Sequence, residues 1–342
     1  MASNRNIDKL STIISSAQAP RCDVEDSNTN RKPVVSIICP VYNEERAIPL
    51  FHARLNNVVS PLFERYEFEL IYTNNRSTDG SLEILRTLHE KDPSIQVLTL
   101  SRNFGYQASV LAGITHASGD AIIVIDVDCE DPPEMIPRFI AKWEEGYDIV
   151  YGRRANRPEP RPMVFMRKLF YRLLRLMADT DIVLDMAEFA LVSARVRDVM
   201  RDNKNSFPFL RAEIGYSGFS RYGITYDRQQ RTTGKSYYNL RGMFLFAAAG
   251  ILSVSTFPMR IAVYAWPLVA LANLVLLALD LAGLSSTTFR VLVALDLLYG
   301  ITLLTTHGLY LARIYKNNIA RPVFIVDWKL SLINQVKRQV PA

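Results

Sequence analysis

The chain has 342 residues, of which 49% are apolar and 22% charged, a composition that excludes intrinsic disorder for most of it. Its three cysteines, Cys22, Cys39 and Cys129, include no Cys-x-x-Cys pair, which excludes a disulfide scaffold and a cysteine zinc site. The 40 basic and 34 acidic residues give a net charge of +6, a mild excess that favours anionic partners: phosphates, membrane headgroups or nucleic acid.

The first part of the chain divides into a polar tail and an alternating segment. Residues 1–32 are rich in Ser and Asn and lack the apolar core of a signal peptide, so we interpret them as a disordered tail and expect the following domain to be cytoplasmic. In residues 33–238, short apolar runs alternate with helix-like stretches. This alternation predicts an α/β fold with a doubly wound, mostly parallel sheet, whose ligands bind beyond the carboxyl ends of the strands. The predicted strands are residues 34–39, 70–73, 97–100 and 121–125.

Two long apolar segments, residues 261–282 and 291–312, lie in the last third of the chain. As helices, each would be roughly 33 Å long, which is enough to cross a bilayer. Buried core helices are the alternative, but two such segments joined by a short connector favour a transmembrane hairpin. Basic residues such as Arg260 and Arg313 flank the outer ends, which predicts that the preceding domain and the tail of residues 313–342 are cytoplasmic.

Two further segments are predicted to lie at a membrane interface. On a helical wheel, residues 162–179 place basic side chains on one side and apolar side chains on the other. This division fits a helix packed on the domain core as well as it fits a helix in the interface, and both interpretations stay open. Residues 239–257 are apolar with few charges and are interpreted as a juxtamembrane helix.

The strongest local signal is the acidic run after the fourth predicted strand, Asp-Val-Asp-Cys-Glu-Asp-Pro-Pro-Glu. Side chains alternate along a strand, so Asp126, Asp128 and Glu130 are expected to share one side and to repel one another unless a cation lies between them. Ligand sets made only of oxygen suit Mg²⁺ or Mn²⁺ rather than zinc. Asp131 precedes two prolines and has Glu134 three positions on, which favours a helix N-cap over a chemical role.

Polar and aromatic side chains also follow the other predicted strands. Tyrosine offers a flat face to a base, asparagine can hydrogen-bond a base edge, and arginine can pair with a carboxylate or bind a phosphate. A basic, glycine-containing loop at residues 231–238 fits a phosphate on a lipid, although an ordinary juxtamembrane basic cluster gives the same pattern. The candidates at the strand ends are Pro40, Tyr42, Glu44, Asn74, Asn75, Arg102, Arg153 and Arg154.

Taken in chain order, these motifs resemble glycosyltransferase family two, and particularly its polyprenyl-phosphate glycosyltransferase branch. The likeness covers about residues 34–326, and the ordered set of motifs with two apolar segments is highly specific. The resemblance implies a GT-A-type fold and transfer of a sugar from a UDP- or GDP-linked donor to a polyprenyl phosphate, with undecaprenyl phosphate expected. It also implies a multi-pass protein of the inner membrane, and it is compatible with a homo-oligomer.

The resemblance also assigns roles by position. It implies metal binding by Asp126 and Asp128, with Glu130 in place of a glutamine that reaches the metal. It implies an acidic pair near the donor sugar at Asp185 and Glu188. The implied donor-binding positions are Pro40, Tyr42, Glu44, Asn74 and Asn75, to which we add Arg102 as a candidate; the implied phosphate-binding positions are Arg153 or Arg154, Arg231, Lys235 and Ser236.

Three departures accompany the match. Asn74 stands where an aspartate usually contacts the base, and Glu130 adds a negative charge beside the metal. Ala190 stands where an arginine often follows the pair of an acidic residue and a phenylalanine. These changes affect the expected nucleotide preference, metal choice and sugar pocket.

The expected chemistry follows from the acceptor. A phosphate monoester, with its second pKa near ~6, is largely dianionic at pH 7, so it needs no strong general base, and direct attack inverts the anomeric carbon. A processive polysaccharide synthase is disfavoured because no Gln-x-x-Arg-Trp motif is present. A different lipid or polysaccharide acceptor, or an inactive sugar-nucleotide-binding scaffold, is the alternative, and a nucleic-acid partner is not expected.

Overall fold

The computed structural model describes residues 31–154, 172, 186–202, 210–229, 255–283 and 288–333. The predicted tail of residues 1–32 falls outside this part of the chain except for its last two residues. Of the predicted interfacial helix at residues 162–179, only Arg172 is described, and of residues 239–257 only the last three. The predictions for these segments therefore stay predictions.

A seven-stranded sheet lies at the centre of the domain, with strand order β3-β2-β1-β4-β6-β5-β7. Strand β6 is antiparallel to both of its neighbours, and the other pairs are parallel. All strands except β6 consequently end at one edge, which we call the carboxyl edge. This confirms the predicted doubly wound, mostly parallel sheet. The strands are β1 Val34–Val41, β2 Glu67–Asn74, β3 Ile95–Thr99, β4 Ala121–Val124, β5 Ile149–Arg154, β6 Met186–Ser193 and β7 Arg221–Tyr226.

Helices cover both faces of the sheet because the central strands are apolar without alternation. Ile37 faces one hydrophobic core, which contains Phe51 and Phe139, and its neighbour Ile38 faces the other, which contains Val110. The helices α1, α2 and α4 line the first core, and α3, α5 and α6 line the second. Their bounds are α1 Ala47–Val59, α2 Ser81–Lys91, α3 Tyr106–His116, α4 Ile136–Glu144, α5 Ala194–Asp202 and α6 Leu210–Ser217.

The first strand continues through Pro40, whereas the sequence predicted that it ends at residue 39. Val41 still pairs with Asn74 of β2, and the chain leaves the sheet only at Tyr42. Ile38 accepts a bond from Ile125 on the β4 side, so Pro40, two positions on, also directs its backbone nitrogen toward β4. The β1–β4 ladder ends at Ile38 and Val124, so the missing N–H of Pro40 removes no ladder bond.

Two long apolar helices, α7 Phe257–Leu281 and α8 Thr288–Asn318, follow the domain. Both are long and apolar enough to be candidate membrane spans. Their apolar side chains are exposed, with Leu268 at 70% and Leu304 at 74%, which is contrary to the alternative of buried core helices. The amide of Asn273 in α7 donates to the Asp296 carboxylate in α8 at 2.7 Å, so Asp296 bonds within the hairpin.

The chain returns from α8 to the domain. Residues 321–333, which we call the return segment, run antiparallel to β3, with bridges from Leu100 to Val326 and from Val97 to Leu332. In the described part of the predicted cytoplasmic tail of residues 313–342, helix α8 continues to Asn318 and is followed by a segment attached to the sheet. The return segment meets β3 at the carboxyl edge first, because Val326 lies opposite the residue that follows this strand.

Candidate active site

The acidic run lies in a turn and not in a strand. Strand β4 ends at Val124, and Cys129 adopts a left-handed backbone with φ of 60°. The strand alternation from which the sequence predicts a shared side for Asp126, Asp128 and Glu130 is therefore absent, because β4 ends before the first of them. The Oδ1 atom of Asp128 instead accepts the backbone N–H of Glu130 at 3.0 Å, which stabilises the turn.

Asp126 is half-buried at the carboxyl edge and faces other carboxylates. The hydroxyl of Tyr106 donates to its Oδ1 atom at 2.8 Å. Burial, together with the nearby carboxylates of Asp128 and Asp131, raises the pKa of Asp126 to about 7, although the Tyr106 bond opposes this. A cation close to Asp126 and Asp128 would offset this repulsion, so the two carboxylates fit the predicted divalent metal.

Glu130, the third predicted metal ligand, pairs with a basic side chain. The guanidinium of Arg228 pairs with its carboxylate, and the backbone N–H of Gln229 donates to its carbonyl oxygen at 2.9 Å. Across the described ranges, no three His, Cys, Asp or Glu side chains converge to hold a metal ion. The three predicted ligands therefore do not form one cluster. A divalent ion held by Asp126 and Asp128 would need further ligands, and Mg²⁺ commonly takes these from water and from substrate phosphates.

Asp131 is not the helix cap that the sequence predicts. The N-cap position is Pro132, with no side-chain cap bond, and Asp131 is 1% exposed. Its carboxylate pairs with the Arg154 guanidinium at 2.9 Å and accepts the hydroxyl of Tyr226. The free-energy cost of a buried carboxylate without a counter-charge is larger than that of a helix end without a cap. Burial alone would lower the pKa of Arg154, but Asp131 and Tyr226 raise it above its usual value.

The two neighbouring arginines at the end of β5 consequently differ. Arg154 is held in the pair with Asp131, the structural role that the sequence left open for arginines at strand ends. Arg153 is exposed, and its guanidinium donates weakly to the Tyr151 hydroxyl at 3.4 Å. Arg153 is therefore the arginine of the two that is accessible to an acceptor phosphate.

Glu188 lies on β6 beside the acidic turn. The β4–β6 ladder pairs Val124 with Ala190, so Glu188, two residues earlier on β6, extends past the end of β4 toward Asp126. Its Oε1 atom lies 2.9 Å from Nε of Arg211 and 3.4 Å from Nε2 of Gln107. Its buried Oε2 atom has no hydrogen-bond partner among the described residues, which leaves an acceptor for a ligand.

The predicted base contacts after β2 are turned inward. Asn74 is buried, and its Oδ1 atom accepts the backbone N–H of Ser77 at 3.0 Å. Asn75 is also buried; its amide donates to Asn103 at 3.0 Å and accepts the backbone N–H of Phe104 at 2.9 Å. Both side chains thus fix the loops that follow β2 and β3.

The remaining donor-binding candidates line the same edge. Tyr42 is 38% exposed beyond β1, where its ring is accessible to a base. Glu44 is half-buried, and its backbone N–H donates to Ser81 at 2.9 Å, while Pro40 is buried within β1. Arg102 is exposed after β3, with its guanidinium 3.9 Å from the centre of the Phe104 ring.

Some predicted residues lie outside the described part of the chain, and some important ones were missed. The former are Asp185, Arg231, Lys235 and Ser236. Tyr106, Arg211 and Arg228 contact the acidic residues without standing in any recognised motif. Only the folded chain brings them together, because no spacing in the sequence relates them to the acidic run.

The chain is similar to known proteins over most of its length. A family model described as "Glycosyl transferase family 2" matches residues 36–199. The chain is 38% identical over 312 residues to the "Uncharacterized glycosyltransferase YkcC" of Bacillus subtilis (strain 168), covering 88% of this chain and 95% of that protein. The chain belongs to glycosyltransferase family 2. It is a glycosyltransferase with the predicted GT-A-like architecture.

Other members of the family carry more specific names. The chain is 30% identical to the "Bactoprenol glucosyl transferase" of Shigella phage SfX, covering 85% of this chain and 98% of that protein. Among solved structures, glucosyl-3-phosphoglycerate synthase from Mycobacterium tuberculosis, in complex with Mn²⁺, UDP and phosphoglyceric acid, is 18% identical with a TM-score of 0.44, covering 64% of this chain and 76% of that chain.

Proposed function

We propose that this glycosyltransferase is a membrane-bound inverting enzyme that transfers a sugar from a nucleotide-sugar donor to a polyprenyl phosphate, expected to be undecaprenyl phosphate. The relatives named bactoprenol glucosyl transferase support this acceptor class. The donor is a UDP- or GDP-linked sugar, and the protein is placed in the inner membrane with its catalytic domain in the cytoplasm.

The observation that carries this proposal is where the chain enters and leaves the apolar hairpin. The chain passes β7 before the hairpin and pairs with β3 after it, and these are the two outermost strands of the sheet. Both strands end at the carboxyl edge, where Asp126 also lies. The return segment is thus attached to the sheet on the side of the candidate site, as an enzyme whose acceptor phosphate lies in the headgroup plane requires.

The residues present fit the chemistry of a phosphate nucleophile. A polyprenyl phosphate is largely dianionic at pH 7, so no side chain has to remove a proton from it. When bound at Asp126 and Asp128, Mg²⁺ or Mn²⁺ would neutralise the donor diphosphate and the leaving nucleoside diphosphate. We assign Arg153, with Arg231, Lys235 and Ser236, to the acceptor phosphate, and Glu188 to the donor sugar through its unpaired oxygen. Attack opposite the leaving group inverts the anomeric carbon.

The test is sugar transfer by the full chain in membranes. A panel of labelled nucleotide sugars is incubated with undecaprenyl phosphate and Mg²⁺ or Mn²⁺, and the label in the lipid extract is measured. We expect one donor to label the lipid, and Asp128→Ala to reduce the rate at least about 100-fold, the scale of losing one electrostatic contact to a transition state. The exposed Glu90→Ala serves as the control. Normal transfer by Asp128→Ala, or no lipid product with any donor, contradicts the proposal.

A further inference from the structure

The return segment forms part of the carboxyl edge beside β3. The backbone N–H of Ser101 donates to the carbonyl of Ile325 at 2.8 Å, and that of Asp327 donates to the carbonyl of Thr99 at 2.8 Å. The Ser331 hydroxyl in turn accepts the backbone N–H of Thr99 at 2.9 Å. These bonds occupy the open side of an outermost strand and place Asp327 at the point where β3 ends.

Asp327 reaches from the return segment to the loop after β2. Its Oδ2 atom accepts a hydrogen bond from Nη1 of Arg76 at 3.1 Å, across 251 positions of the chain. Arg76 adopts a left-handed backbone with φ of 60°, which is uncommon for a residue with a long side chain. The pair is partly exposed, at 46% for Arg76 and 27% for Asp327, so a ligand at this edge can reach it.

Arg76 is the basic side chain next to the predicted base contacts. Asn74 and Asn75 are buried and bonded inside the domain, so they do not present their amides to a ligand. A guanidinium carries five N–H donors, and Asp327 accepts from Nη1, which leaves other donors for carbonyl oxygens. Uracil and guanine, the bases of the expected donors, both present such carbonyls.

We propose that Asp327 is a positioning residue for the nucleoside half of the donor. It holds Arg76 and the loop after β2 in the orientation that contacts the base. This inference rests on the proposed function, since it requires a nucleotide-linked donor. It also connects donor binding to the hairpin, because Asp327 lies nine residues after Asn318, the last residue of α8.

The experiment measures direct binding of UDP and GDP to the full chain in detergent, without sugar transfer. We expect Asp327→Asn to weaken binding of the preferred nucleotide about fivefold, the upper range for a partly exposed ion pair. The donor KM should rise by a similar factor, while the KM for polyprenyl phosphate and the thermal midpoint stay unchanged. Asp327→Glu, which keeps the carboxylate, should restore binding. Arg86→Gln, which breaks the exposed pair with Glu83, is the matched control.

The outcomes separate the inference from the function that it rests on. Wild-type nucleotide affinity in Asp327→Asn overturns the positioning role while the proposed function stands. An equal loss for donor and acceptor, with a lower thermal midpoint, also overturns it, because a purely structural role gives that result. If the wild-type chain binds neither UDP nor GDP, the proposed function fails and the inference fails with it.

Discussion

The guanidinium of Arg154 lies between the carboxylate of Asp131 and the hydroxyl of Tyr226, and its side chain is 11% exposed. Its neighbour Arg153 points from the same strand end into solvent. The two residues have the same chemistry, but their burial differs, and burial determines which one can exchange partners. A buried charge that loses its partner is strongly destabilised, whereas an exposed arginine can pair with a phosphate at little cost.

We therefore predict opposite effects for the two arginines. Arg154→Met leaves Asp131 buried without a counter-charge and should lower the free energy of unfolding by about 3 kcal/mol, measured by denaturant or thermal melting. Arg153→Met should leave stability unchanged within about 0.5 kcal/mol and raise the KM for polyprenyl phosphate. Each variant is the control for the other. An Arg154→Met protein of normal stability would contradict the structural role of the pair.

The sequence predicts the location of the site better than the contacts within it. The end of an apolar strand places Asp126 and Asp128 at the carboxyl edge, and the structure agrees. The orientation of their neighbours depends on a left-handed Cys129, which no residue preference predicts because this conformation is uncommon outside glycine. The pairs of Arg228 with Glu130 and of Asp327 with Arg76 join residues that are distant in the sequence, so local spacing does not predict them.

At the scale of strands and helices, a buried carboxylate joins the elements at the edge opposite the site. Glu69 of β2 accepts hydrogen bonds from Ser36 of β1 at 2.5 Å and from Gln96 of β3 at 2.8 Å. It also accepts the backbone N–H of Ser118, in the turn before β4, at 2.8 Å. One side chain thereby bonds to three neighbouring elements, which fixes the strands whose other ends carry the candidate site. The sequence predicted β2 only from residue 70, so this residue fell outside it.

We predict that Glu69→Ala destabilises the domain by about 3 kcal/mol, because several buried donors lose their acceptor together. The thermal midpoint of the full chain should fall by roughly 10 °C. Glu67→Ala, two positions earlier on the same strand and exposed, is the matched control and should melt like the wild type. An equal shift in the two variants would show that the loss reflects strand propensity and not the hydrogen bonds.

For the whole molecule, the return segment joins the hairpin to the carboxyl edge of the sheet. The return segment runs from α8 onto β3, while residues 230–254, which connect β7 with α7, lie outside the described part of the chain. The domain is connected to the hairpin twice along the chain, before α7 and after α8. Two connections restrict rotation of the domain far more than one would, because a domain on a single flexible connection can turn freely. If the acceptor phosphate lies in the headgroup plane, the second attachment should keep the site facing it.

A flexible insertion tests this geometry without removing the contacts between the return segment and β3. Ten Gly/Ser residues placed after Ile319 add a span of roughly 17 Å between α8 and the return segment. We expect transfer to long-chain polyprenyl phosphate in vesicles to fall about tenfold, because the effective concentration of the site at the bilayer surface falls. Nucleotide affinity should be unchanged, since the return segment can still pair with β3. Transfer to a short-chain, water-soluble prenyl phosphate should also be unchanged.

The same insertion after Gly283 is the control, because it lengthens the connector at the far end of the hairpin and leaves both attachments as they are. That variant should transfer sugar to the vesicle acceptor at the wild-type rate. If both insertions reduce the rate equally, the loss comes from the packing of α7 against α8, to which the bond between Asn273 and Asp296 contributes. If the insertion after Ile319 has no effect on the vesicle reaction, the attachment through the return segment does not orient the domain.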